Sequence, residues 1–167
     1  MTDRRAADRW EWALVFGWIV AFAVARGGSN TEADPYWQIR AGLENLAGTP
    51  LVRADTWSWA PVDALFYPNS PAWNAVLATT WQWGEFWGVF ALTSVAVFAS
   101  LAVIAIVARA IGARPLPILL VLIAVAFVSF AEFSPRATLA AQTLLLATMG
   151  LGAWWSARAH RRQEQRL

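Results

Sequence analysis

Three long apolar runs constrain this chain more than any other feature of its sequence. They cover residues 86–108, 115–133 and 137–155, and each can cross about 30 Å of hydrocarbon at about 1.5 Å per residue. The chain is 58% hydrophobic and 14% charged, whereas a soluble domain carries roughly 25% charged residues. The sequence therefore predicts an all-α integral membrane protein that forms a single transmembrane domain over residues 1–167.

A fourth apolar helix is predicted over residues 10–25. It is short for a membrane span, and Arg26 together with two tryptophans at its start would anchor its ends at the two interfaces. A cleaved signal peptide is the alternative interpretation, because a basic segment precedes the run and Ala23-Val24-Ala25 matches an A-x-A cleavage site. We expect about four transmembrane helices in total.

The longest polar stretch, residues 26–85, separates the first span from the second. Asp34-Pro35 predicts a helix start, with Asp at the N-cap and a helix that ends near Ala47 before Gly48. A second short helix is predicted over residues 72–83. Both are too short to cross a bilayer, so we expect two interfacial helices in one extracytoplasmic loop. Aromatic residues between them suggest a belt against lipid headgroups: Trp57, Trp59, Phe66 and Tyr67.

The distribution of arginine predicts how the chain is oriented. All thirteen basic residues are Arg. With four spans, both termini and the 109–114 turn share one side with nine Arg, and the opposite side carries four. Because positive charge is retained on the cytoplasmic side, we expect a multi-pass protein of the plasma (inner) membrane with cytoplasmic N- and C-termini.

Composition also excludes several kinds of chemistry. The chain has no Cys and no Lys, which excludes disulfides, thiolate catalysis, a Lys Schiff base and a Lys-dependent phosphate loop. Its net charge of +2 is small and dispersed, so nucleic acid is not an expected partner. The basic ends fit anionic membrane lipids better.

The polar loop carries a motif that resembles one in a known enzyme family. The motif is Glu32-x-Asp34-x-x-Trp37-Gln38, followed by Gly48-Thr49-Pro50, by Asp55-Thr56-Trp57-Ser58 and later by Ser134-Pro135-Arg136. After a first span, this arrangement resembles the bacterial membrane glycosyltransferases of the GT-C fold. The resemblance covers residues 10–155 in layout and residues 32–58 in motif. Such enzymes usually have eight or more spans, so the chain looks like their N-terminal module alone.

The resemblance implies transfer of a sugar from a polyprenyl-phosphate donor at the extracytoplasmic face. Asp34 would be the catalytic base or a metal ligand, with Glu32 and Asp55 as second carboxylates and a divalent cation, Mg²⁺ or Mn²⁺, as cofactor. Arg136 and Arg40 would bind the donor phosphate or lipid. Trp37 would stack on the sugar.

Each of these residues also has a structural interpretation that the sequence leaves open. Asp34 fits an N-cap, Glu32 a solvated loop acid, Asp55 an Asx-turn, and Trp37 an interfacial anchor. The two arginines fit i,i+4 pairs, Arg136 with Glu132 and Arg40 with Glu44.

Two further functions compete with sugar transfer. One is a non-catalytic accessory or scaffold subunit, or an inactive truncated relative, that assembles with a larger membrane partner or as a homo-oligomer. The other is a transporter fragment, which the three long runs argue against because their one charged residue, Glu132, lies at the end of a run.

Overall fold

The computed structural model describes residues 2–29, 33–57 and 64–164, with side chains for all of these except residues 2–7, 157 and 160–164. The described part is mostly helical, as predicted, and also contains a two-stranded antiparallel hairpin that was not predicted. Its elements are α1 (Thr2–Gly28), α2 (Asp34–Leu46), β1 (Arg53–Ala54), β2 (Leu65–Phe66), α3 (Pro71–Ala110), α4 (Pro115–Val128) and α5 (Ala137–Glu164).

Three helices are long and apolar enough to cross a membrane, which supports the membrane-protein class. They comprise Asp8–Gly28, Pro71–Ala110 and Ala137–Ser156, and overlap the predicted spans 10–25, 86–108 and 137–155. The fourth apolar helix, α4, is shorter than the predicted span over residues 115–133. Its 14 residues rise about 21 Å.

The early end of α4 has a physical cause in a distant residue. Residues 129–136 form turns instead of helix. The Phe130 carbonyl accepts a hydrogen bond from Nε of Arg26 at 2.9 Å, so an end group that leaves the helix gains a partner from α1. Pro135 would stop the helix only several residues later, so it does not account for the end at Val128.

Helix α3 consists of two halves, as the sequence predicts, joined at a sharp break. Gly84 and Glu85 have non-helical backbone angles, and Glu85 adopts a positive φ of 47°. A Cβ built on Gly88 would lie 2.2 Å from the Thr80 carbonyl oxygen. The second half therefore folds back tightly against the end of the first.

Apolar residues at helical spacing build the main core between α1, α3 and α4. Its fully or nearly buried members are Val15, Ile19, Ala23, Val97, Leu101, Ala105, Ile118, Leu122, Phe133 and Leu139. A polar contact joins α3 to α5, where the hydroxyls of Ser100 and Thr143 lie 2.7 Å apart. Both hydroxyls are also within reach of helix carbonyls, so neither polar group is left unsatisfied in an apolar setting.

Contacts between residues at the helix ends show which helix ends lie on the same side of the bundle. Arg26, at the end of α1, contacts Phe130, after α4. At the other end of the bundle, the Arg109 guanidinium lies 5.9 Å from the centre of a Trp12 ring. The end of α1, the α4–α5 turn and the start of α3 therefore share one end, and α2 packs there against α3.

Helix α2 ends as predicted and begins slightly differently. Gly48 has φ +93°, its N–H bonds the Asn45 carbonyl, and the Thr49 N–H bonds the Glu44 carbonyl, which is the Schellman pattern of a glycine-terminated helix. At the other end Ala33 occupies the N-cap position and Asp34 is already helical. The predicted N-cap role of Asp34 is therefore wrong, and its carboxylate is directed elsewhere.

Candidate functional site

The first turn of α2 and the turn between α4 and α5 meet through an ion pair. Oδ2 of Asp34 lies 2.8 Å from Nη2 of Arg136. The side chains of Asp34 and Arg136 are 46% and 42% exposed, respectively, so both can be reached from outside the protein. The two residues that the motif singles out as base and phosphate ligand are thus brought together, although they are distant in sequence.

The turn that carries Arg136 is held in place by α3. The indole Nε1 of Trp73 donates a 3.1 Å hydrogen bond to the Pro135 carbonyl. Ser134 and Pro135 are fully buried, and the Arg136 N–H bonds the Ser134 carbonyl at 2.7 Å. The guanidinium of Arg136 therefore extends from a rigidly packed backbone rather than from a free loop.

A second contact fixes α2 against α3, about two helical turns from Asp34 on the same face of α2. A Cβ on Gly42 would lie 2.1 Å from the Asn74 carbonyl oxygen, so the two backbones touch at this point. Asp34, Gln38 and Gly42 are spaced four residues apart and share one face of α2. Gln38 therefore lies between the ion pair at one end and the contact with Asn74 at the other.

Several polar atoms of α2, α3 and the α4–α5 turn are buried without hydrogen-bond partners among the described residues. They include Oε1 of Gln38, both amide atoms of Asn74 and Oγ of Ser134. All three residues are more than nine-tenths buried. Because unpaired buried polar groups cost about 1–3 kcal/mol each, this region is more polar than packing alone requires. We refer to Asp34, Gln38, Asn74, Ser134 and Arg136 as the polar seam.

The structure places Arg40 and Trp37 against the hairpin, away from the Asp34–Arg136 pair. Nε of Arg40 lies 3.2 Å from Oε1 of Glu44, which is the i,i+4 pair that the sequence allows. Its guanidinium also lies 4.6 Å from the centre of the Trp57 ring. Trp37 makes an edge contact with Phe66, with ring centres 6.3 Å apart.

Of the two remaining predicted carboxylates, the structure describes only Asp55. Oδ1 of Asp55 accepts the Trp57 N–H at 2.9 Å, which is the Asx-turn of the structural interpretation. Glu32 lies outside the described residues. Within the residues that the structure describes, no group of three or more His, Cys, Asp or Glu side chains is placed to hold a metal ion. The divalent cation that the resemblance implies therefore stays a prediction.

Two arginines have roles that the sequence analysis did not assign. Arg26 is only 3% exposed and bonds the Phe130 carbonyl, instead of extending to an interface. The Arg53 side chain is 13% exposed; its Nη2 lies 2.7 Å from Oε2 of Glu44, and its guanidinium lies 4.9 Å from the ring centres of both Trp57 and Phe66. The sequence signal for a strand here is the position of Arg53 between the apolar residues Val52 and Ala54. The structure shows that these two neighbours are exposed.

Comparison with known proteins adds no relative. No family model matches the chain, and neither the curated proteins nor the solved structures include a match.

Proposed function

We propose that this chain is a GT-C-like glycosyltransferase module that transfers a sugar from a polyprenyl-phosphate donor at the extracytoplasmic membrane face. The proposal places four spans in the bilayer, α4 being the shortest. It places α2 and the first half of α3 along the outer interface, with both termini in the cytoplasm. The end of the bundle that holds the polar seam would then face the lipid-linked donor.

The observation that carries this proposal is the Asp34–Arg136 pair. Sugar transfer from a lipid phosphate needs a base for the acceptor hydroxyl and a positive charge for the departing phosphate. These two groups lie 2.8 Å apart and both are partly exposed.

The mechanism that we propose begins with the ion pair. A donor phosphate competes with Asp34 for the Arg136 guanidinium, because both are anionic oxygen ligands. Displaced from Arg136, the Asp34 carboxylate takes the proton of the acceptor hydroxyl as the acceptor oxygen bonds the anomeric carbon. The bond between that carbon and the phosphate oxygen breaks, and the phosphate leaves with the electron pair beside Arg136. No step uses a metal ion.

The test is sugar transfer in proteoliposomes that contain a polyprenyl-phosphate sugar. We expect Asp34→Asn to lower the rate by at least about 100-fold, as for loss of a general base, with normal insertion and folding. Asp55→Asn is the matched control, because Asp55 serves an Asx-turn, and it should keep most of the rate. Full activity in Asp34→Asn would end the catalytic proposal.

A non-catalytic subunit is the second candidate, and α5 favours it. In the apolar part of α5 that could span a membrane, only 6% of the residues are buried, against 28% of the residues in the corresponding part of α1 and 33% in that of α3. A helix with so little intramolecular packing has room for a larger membrane partner or a second copy. Copurification of a stable membrane partner, together with no transfer by the wild-type chain, would favour this function.

A further inference from the structure

The hairpin formed by β1 and β2 turns its charged face toward the protein and its apolar face outward, which is the opposite of a hairpin in water. Arg53 pairs with Phe66 and Ala54 pairs with Leu65 in an antiparallel register. Because side chains alternate between the faces of a strand, Arg53 and Phe66 share one face, and Ala54 and Leu65 share the other. One face is therefore cationic and aromatic, and the other is apolar.

The cationic face is the one turned inward. The Arg53 side chain is 13% exposed and is held by Glu44 of α2, by Asn45 Oδ1 at 3.3 Å and by the rings of Trp57 and Phe66. A charged side chain is normally found on the exposed face of a surface hairpin. Here the guanidinium has the protein partners that compensate for its removal from water.

The apolar face is turned outward. Leu65 is 53% exposed and Tyr67 is 61% exposed. Val52, 48% exposed, and Ala54, also exposed, continue the alternation on the neighbouring strand. We call Val52, Ala54, Leu65 and Tyr67 the outer face of the hairpin. It contains no charged side chain, and its tyrosine suits a boundary between hydrocarbon and headgroups.

We propose that the outer face of the hairpin docks on the lipid bilayer at the level of the headgroups. The hairpin is followed directly by α3, whose first half we place along the membrane interface and whose second half is a candidate span. The charges behind it also fit a lipid surface. Arg40 and Arg53 both contact Glu44, and the Arg40 side chain, with its positive charge, is 64% exposed. Anionic lipid headgroups complement that charge.

This docking would fix α2 relative to the membrane and does not depend on sugar transfer. The contacts of Arg53 with Glu44 and of Trp57 with Arg40 connect the hairpin to α2. A hairpin held at the lipid surface would therefore hold α2, and with it Asp34, at a constant depth.

The orientation of the hairpin also revises the aromatic belt expected from the sequence. Phe66 and Trp57 pack on arginines, while Leu65 and Tyr67 face outward.

The chain has no cysteine, so single-cysteine labelling tests the proposal cleanly. Leu65→Cys and Tyr67→Cys are each labelled with an environment-sensitive nitrobenzoxadiazole dye in vesicles of phosphatidylethanolamine and phosphatidylglycerol. Quenching is then compared between spin-labelled lipids and aqueous iodide. Leu145→Cys, at an exposed position in the middle of α5, reports lipid contact. Ala159→Cys lies in the same helix after the end of the candidate span at Ser156, and it reports exposure to water.

We expect the dyes at positions 65 and 67 to be quenched by spin-labelled lipid at least half as strongly as the dye at 145. We also expect them to be less accessible to iodide than the dye at 159. Lipid quenching no greater than at 159 would overturn the proposal, whether iodide reaches the dyes or not. If neither quencher reaches them, the outer face is covered by protein, such as a second copy, and lipid docking is wrong.

Discussion

Asp34, at the start of α2, forms an ion pair with Arg136, in the turn between α4 and α5, with Oδ2 and Nη2 2.8 Å apart. Neither residue has a local reason to adopt this position. Asp34 is directed by α2, whose Gly42 touches the backbone of α3 at Asn74. Arg136 is directed by a turn that is bonded to Trp73. The pair therefore depends on the packing of α2, α3 and the α4–α5 turn, and its contribution to stability and to function can be separated by mutation.

The first prediction concerns the stability that the ion pair provides. Both side chains are nearly half exposed, and such pairs contribute about 0–1 kcal/mol. Asp34→Asn and Arg136→Gln should therefore shift the thermal unfolding midpoint in detergent only slightly. A loss of several kcal/mol in either variant would show that the pair is structural and would weaken its assignment as a site.

The second prediction concerns the contact between α2 and α3. Gly42→Ala places a Cβ 2.1 Å from the Asn74 carbonyl oxygen and 2.8 Å from Cβ of Ala78, so one backbone must move. We expect a loss of about 1–3 kcal/mol, as for an overpacked core, measured by tryptophan fluorescence during heating. Gly152→Ala is the control, because a Cβ there meets nothing within 4 Å. Equal midpoints for the two variants would contradict the close approach.

The third prediction concerns the turn that presents Arg136. Trp73→Phe keeps an aromatic ring, although a smaller one, and removes the indole donor to the Pro135 carbonyl. We expect a loss of about 1 kcal/mol and a lower rate of transfer, because Arg136 would be less well positioned. Trp155→Phe, at a residue that is 73% exposed, should change neither quantity. If Trp73→Phe matches that control in both assays, the hydrogen bond does not position the turn.

The fourth prediction concerns the break in α3. Glu85 has a φ of 47° and a ψ of −127°, a conformation that costs a non-glycine residue about 1–3 kcal/mol. Glu85→Gly should leave stability unchanged or raise it by up to about 2 kcal/mol, since the relief of strain opposes the entropy cost of glycine. Ala75→Gly, inside regular helix, should lower stability by about 1 kcal/mol. A similar loss in both would mean that residue 85 is not strained.

Local sequence patterns predict most of the helices but not where they meet. The apolar runs predict α3 and α5 because hydrophobic length is a local property, and Gly48 predicts the end of α2 through its left-handed conformation. The end of α4 is missed because its determinant, Arg26, lies in another helix.

The same limit applies to the candidate site. The motif draws attention to Asp34 and Arg136, but nothing near either residue indicates that they pair. The hairpin is missed because each strand has only two residues. Its stability comes from the contacts of Arg53 with Trp57, Phe66 and Glu44, which depend on tertiary packing.

The most direct test of the central claim is the affinity of a polyprenyl phosphate for three forms of the protein in nanodiscs. If Arg136 binds the phosphate and Asp34 competes for it, Arg136→Gln should weaken binding at least about 10-fold, about 1.4 kcal/mol, and Asp34→Asn should tighten it several-fold. The two substitutions should therefore change the affinity in opposite directions. Equal affinities in all three forms, or weaker binding in both variants, would contradict the central claim.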